Sequence, residues 1–115
     1  MSMMSMKDIQ DAFNTNYGFD NLKEKSREYI KNIVADSENN FLAEVFEDSS
    51  KRHELNNFVI EYSKTYLIIN KCLGENPSFR IVFDFINPDS GYSEYAYEIE
   101  YNILGEFLDE FFLKV

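Results

Sequence analysis

Residues 93–103 read Ser93-Glu94-Tyr95-Ala96-Tyr97-Glu98-Ile99-Glu100-Tyr101-Asn102-Ile103. Successive side chains of a β-strand point to opposite faces, so a period of two sorts this stretch cleanly. Tyr95, Tyr97, Ile99, Tyr101 and Ile103 fall on one face; Glu94, Ala96, Glu98, Glu100 and Asn102 fall on the other. The spacing predicts a strand over 92–103 with one buried face and one solvated face. Just upstream, Asn87-Pro88-Asp89-Ser90-Gly91 carries the residue types that close a hairpin, which makes the preceding run, 79–87, an antiparallel neighbour. Two further β-branched and aromatic runs, 65–73 and 57–63, precede it. Gly74-Glu75-Asn76-Pro77-Ser78 separates the third run from the second, and Ser63-Lys64 is read as the turn between the second and the first. The expectation is a four-stranded antiparallel sheet.

Outward from these runs the period changes. Before residue 49 the apolar residues follow helical spacing and predict helices over 3–16, 20–35 and 37–48. Met6, Ile9 and Phe13 mark the first, which Gly18 can terminate. Asp20 is a good N-cap for the second, whose stripe is Leu22, Tyr29, Ile30, Ile33 and Val34. Asp36-Ser37 can cap a third segment with Phe41, Leu42, Val45 and Phe46, although the absence of Gly or Pro there also permits one long bent helix. At the other end Leu104, Phe107, Leu108, Phe111 and Phe112 recur at helical intervals, opposite Glu106, Asp109 and Glu110, and predict a short C-terminal helix over 105–113. The fold class expected is α+β, with N-terminal helices packed on one face of the sheet, in a single domain spanning 1–115. Ile30, Ile33, Ile68, Val82, Ile99, Tyr101 and Phe111 are the expected core.

The whole chain, 115 residues, suits one domain, and 44% hydrophobic with 28% charged residues is the composition of a folded globular protein. Its 21 acidic side chains face only 11 Lys and Arg, for a formal net charge of −10. Such a field repels phosphate backbones and anionic headgroups, so direct nucleic-acid and membrane-surface binding are disfavoured and a basic protein partner is favoured. Acidity for solubility alone is the plainer alternative. A lone cysteine, Cys72, cannot form an internal disulfide, the N-terminal residues lack the pattern of a signal peptide, and no apolar run approaches the length of a membrane span. A reducing, cytoplasmic location is expected.

Catalytic signatures are absent from the sequence. The four glycines stand singly at 18, 74, 91 and 105, which excludes the common phosphate-binding loops, and neither a nucleophile elbow nor a zinc-ligand spacing occurs. His53, in Lys51-Arg52-His53-Glu54, reads as an exposed junction residue, and Cys72 as a structural thiol. A metal site or a Cys72–His53 nucleophile pair is the sharper alternative, with no supporting motif. No catalytic, metal or cofactor-binding residue is assigned.

The charge is unevenly spread. Residues 84–115 hold eight acids against Lys114, a balance of −7, whereas residues 1–83 hold the other 13 acids and 10 bases, a balance of −3. Glu94, Glu98 and Glu100 on the solvated strand face, extended by Glu106, Asp109 and Glu110 and with Tyr92 as a rigid aromatic anchor, form the candidate partner-binding surface. A merely solvated face is the alternative. In size, acidity, aromatic content and α+β architecture the chain resembles the bacterial cytoplasmic immunity proteins that neutralise polymorphic toxins, including contact-dependent inhibition toxins. That resemblance implies a partner that is a basic toxin domain, typically a nuclease, whose substrate groove is blocked by acidic side chains. A phage-type nucleic-acid mimic, a small carboxylate enzyme and a homo-oligomeric adaptor built through a sheet edge are the other classes considered; the oligomeric state is left open.

Overall fold

The computed structural model describes residues 5–69 and 77–115. Cys72, Gly74, and the parts of the expected first helix and second strand at residues 3–4 and 70–73 lie outside the described residues, as do the side chains of Met6 and Ile9. Two helices come first, α1 (Met6–Tyr17) and α2 (Phe19–Ala35). Ser5 and Asp8 start α1 with a reciprocal capping box, each side chain taking the other's backbone N–H at 3.1 Å. Gly18 ends it in the left-handed region (φ +58), where a residue without Cβ is unstrained, and α2 begins at once. Asp20 therefore sits in the first turn of α2 and is not its N-cap; its own N–H is held by Asn14 Oδ1 at 2.9 Å.

The helix expected over 37–48 is broken. Ser37–Asn39 forms a 3-10 turn, α3 (Leu42–Val45) a single turn, and α4 (Ser49–Glu54) with the 3-10 turn Leu55–Asn57 leads into the sheet. Asn40 is the breaker. Its backbone is extended, while its amide donates to Ile33 O and Asp36 O and its carbonyl accepts Leu42 N–H, so one side chain both closes α2 and starts α3.

Four strands follow in a meander, β1 (Val59–Ile68), β2 (Ser78–Ile86), β3 (Ser93–Asn102) and β4 (Phe107–Lys114), all antiparallel and in that spatial order. The number matches the sequence reading, but two of its members are different. Residues 57–63 and 65–73 were expected to be two strands; Ser63 is instead an extra residue in one strand, since Tyr62 faces Phe83 and Lys64 faces Val82. Tyr62 and Thr65 close over this bulge through their hydroxyls at 2.8 Å. The C-terminal segment 105–113, expected to be a helix, is an edge strand. Gly105 (φ +82) turns the chain back, Asn102 Oδ1 collects the N–H groups of Leu104 and Glu106 at 2.9 Å, and β4 satisfies the backbone of β3 that would otherwise be an open edge. Leu108 is the extra residue of a bulge between the Glu100/Asp109 and Tyr101/Phe107 pairs, and this phase slip makes the apolar positions of a strand mimic helical spacing.

The helices cover one face, called inner here. Ile30 and Val34 of α2, with Leu42 and Leu55, pack on Phe79, Ile81, Phe83, Phe85, Tyr97, Ile99 and Tyr101. Phe13 reaches Phe19 and Phe79 edge-on at 5.1 Å, and Phe46 meets Tyr95 and Phe112. Within this layer Ser26 Oγ gives its single hydrogen to Leu22 O, so Tyr101 Oη donates to Ser26 at 2.6 Å. Of the expected core, Ile30, Val82, Ile99 and Tyr101 are buried and Ile33, Ile68 and Phe111 are half-buried. Val82, Ile68 and Phe111 belong to the other face, and none of the three joins the helix-side cluster.

Candidate functional site: the outer face of the sheet

The outer face is built by strand register. Tyr66, Arg80, Glu100 and Asp109 lie side by side across the four strands; Lys64, Val82, Glu98 and Phe111 form the next row; Glu61, Asp84, Ala96 and Leu113 the one after. At its centre Arg80 Nε donates to Glu100 Oε1 at 2.7 Å, while its Nη1 lies 3.5 Å from Glu98 Oε1. Tyr66 Oη donates to Glu98, Arg80 Nη1 donates to Tyr66 Oη at 3.3 Å, and Ser78 Oγ donates to Glu100 Oε2 at 3.2 Å. The Phe111 ring caps the guanidinium, whose carbon stands 4.0 Å from the ring centroid. Burial, then the Glu98 carboxylate, push the Tyr66 hydroxyl above its ordinary pKa. For Arg80 burial acts downward, but the hydrogen bonds to Glu100 and Tyr66 outweigh it and hold the guanidinium above its ordinary value.

Two features of this face are unfavourable for folding. Glu61 stands directly opposite Asp84 and Glu100 opposite Asp109, and like charges at directly opposed positions repel. Arg80 compensates Glu100. Glu61, Asp84 and Asp109 make no ion pair among the described residues. Glu61, Asp84, Glu98, Glu100 and Asp109 against Lys64 and Arg80 leave this face at −3.

The seven acidic and aromatic residues singled out in the sequence are not one cluster. Glu98 and Glu100 lie together on the outer face, but their side chains are only 13% and 19% exposed and are engaged by Arg80. Asp109 joins them from β4, exposed. Glu94 sits at the start of β3, accepting from Asn87 Nδ2 at 3.1 Å, beside the hairpin that carries the 75% exposed Tyr92. Glu106 lies at the opposite end, in the β3–β4 turn, accepting from Asn102 Nδ2. A ten-residue strand separates these ends by about 30 Å. Glu110 faces inward, where Tyr29 Oη donates to it at 2.5 Å and Tyr97 Oη also donates. Glu61 and Asp84 were missed because no fixed sequence interval reveals an opposed pair formed by two separate strands.

Elsewhere, His53 Nε2 meets Glu38 Oε1 at 3.1 Å on the surface, and its pairing with Cys72 lies outside the described residues. Among the described residues no group of three or more His, Cys, Asp and Glu could hold a metal ion, and no helix is long and apolar enough to cross a membrane. A cleft of about 590 Å³ opens between the α1–α2 junction and the inner face of β1, where the Lys23 ammonium stands 4.8 Å from the Tyr62 ring centroid. No protein-family model, curated protein or solved structure matches the chain.

Proposed function

We propose that this chain is an immunity-type inhibitor that binds and neutralises a basic toxin domain, a nuclease being the simplest case, through the acidic outer face of its sheet. The observation that supports this reading is the opposed carboxylate pair Glu61/Asp84, without an ion-pair partner among the described residues, on the face opposite the helix-side core. Retaining such a pair costs folding energy, and a cationic partner would relieve it. Glu98 and Glu100, fixed by Arg80, supply a rigid carboxylate frame at the centre, and Asp109 extends it to the edge. Lysine and arginine side chains of a nuclease groove, which would otherwise hold phosphate, would pair with these carboxylates and be withdrawn from substrate. Tyr92, Glu94 and Glu106 mark the two ends of the footprint. Glu110, turned inward, is excluded from it.

The test is to mix the purified chain with any toxin domain encoded by the gene immediately upstream and follow nuclease activity. Saturable, stoichiometric loss of activity is expected. Absence of both binding and inhibition would overturn the reading.

A further inference from the structure

Both edges of the sheet are strands, but they differ. At mid-length β1 carries the Ser63 bulge and Lys64, two devices that blunt an edge. The bulge of β4 lies near its start, at Leu108, and leaves 109–115 regular. Val115 N–H bonds Glu94 O, so residues 109, 111, 113 and 115 direct their backbone groups to β3, while 110, 112 and 114 direct theirs away from the sheet. Leu113 and Val115 are exposed.

We infer that β4 pairs antiparallel with β4 of a second copy, with Phe112 opposite Phe112 across the two-fold axis. The residues flanking Phe112 are self-complementary in that register alone. It places Glu110 opposite Lys114 twice on the inner face and Phe111 opposite Leu113 twice on the outer face. Centring on Phe111 sets Glu110 against Phe112 and Asp109 against Leu113; centring on Glu110 opposes two carboxylates. Lys114 has no ion-pair partner of its own among the described residues. The outward N–H of Glu110 is held by Asp109 Oδ1 at 2.8 Å, and pairing exchanges that bond for the Lys114 carbonyl of the second copy. Because each copy has one β4, the contact closes as a dimer.

Sedimentation equilibrium on the full chain, up to about 1 mM, tests this. A monomer–dimer equilibrium is expected, weakened about tenfold or more by Lys114→Glu, which opposes two carboxylates. Lys114→Pro removes an outward donor without touching a β3–β4 bond and is expected to give a monomer; circular dichroism checks that each variant is folded. If Lys114→Pro unfolds, Lys114→Glu decides. A wild-type monomer throughout, an open-ended polymer, or variants that dimerise as the wild type does would each overturn the inference.

Discussion

Glu110 joins the edge strand to the helix layer with one side chain. Its carboxylate oxygens accept the hydroxyls of Tyr29, from α2, and of Tyr97, from β3, which is fully buried. Hydrogen bonds to a charged group contribute roughly 1.5–3 kcal/mol, and a buried donor left unpaired costs more than an exposed one. Glu110→Ala is therefore expected to destabilise by about 2–4 kcal/mol, and Tyr97→Phe more than Tyr29→Phe, by urea unfolding. The same group predicts an alkaline limit. Burial, with Glu110 next, raises the Tyr29 hydroxyl from 10.0 to about 12 and raises Tyr97 as well. The unfolded chain releases these protons near pH 10 while the folded chain keeps them. Stability conferred by the raised Tyr29 value is thus present in full below pH 10 and is lost as pH climbs through 12, while that from the more strongly raised Tyr97 declines over the same range and beyond it. Unfolding midpoints should fall over that window, and a flat profile would show that the hydroxyls are not bound as described. None of this was legible in the sequence, where Glu110 grouped with Glu106 and Asp109 as one acidic helical face.

At the scale of elements, β3 was legible because its alternation is uninterrupted and one face is almost wholly apolar. Ile99, fully buried between Ile81 and Glu110, is expected to cost about 2–5 kcal/mol when cut to Ala, and Ile33, half-buried on α2, distinctly less. The bulge of β3, at Glu94, lies at its start and leaves 95–102 regular, whereas the bulges inside β1 and β4 hid those two strands. One extra residue reverses which face each later side chain occupies, so the β1 bulge looked like a turn and the β4 bulge like a helix. The Asn102–Gly105 turn was the available signal for β4, since Asn followed by Gly three positions later suits a chain reversal better than a helix start. The opposed pair Glu61/Asp84 yields a prediction at this scale. Glu61→Lys replaces repulsion by attraction and should stabilise the chain by about 0.2–1 kcal/mol. No change, or a loss, in thermal unfolding would mean that the two carboxylates do not face each other.

Across the whole molecule, folding redistributes the excess negative charge. The last quarter of the chain carries most of the excess negative charge. Folding then disperses that excess, with Glu110 turned into the helix layer, Glu98 and Glu100 tied to Arg80, and Glu94 and Glu106 sent to opposite ends. What the outer face adds is Glu61 of β1 opposite Asp84 of β2, neither of them among the residues singled out in the sequence as the partner-binding surface. The proposed interface therefore depends on Glu61, Asp84 and Asp109 more than on the residues whose alternation is easiest to read. Exposed charges act on association rate and its salt dependence far more than on folding.

The most direct test of the proposal is the association rate with any toxin domain encoded immediately upstream, measured across a salt series for the wild type and for Glu61→Lys/Asp109→Lys. The double variant is expected to be at least as stable as the wild type, to associate about tenfold or more slowly at low salt, and to lose most of the salt dependence. Equal rates and equal salt slopes for the two proteins would contradict the proposal that the outer face binds a basic toxin domain.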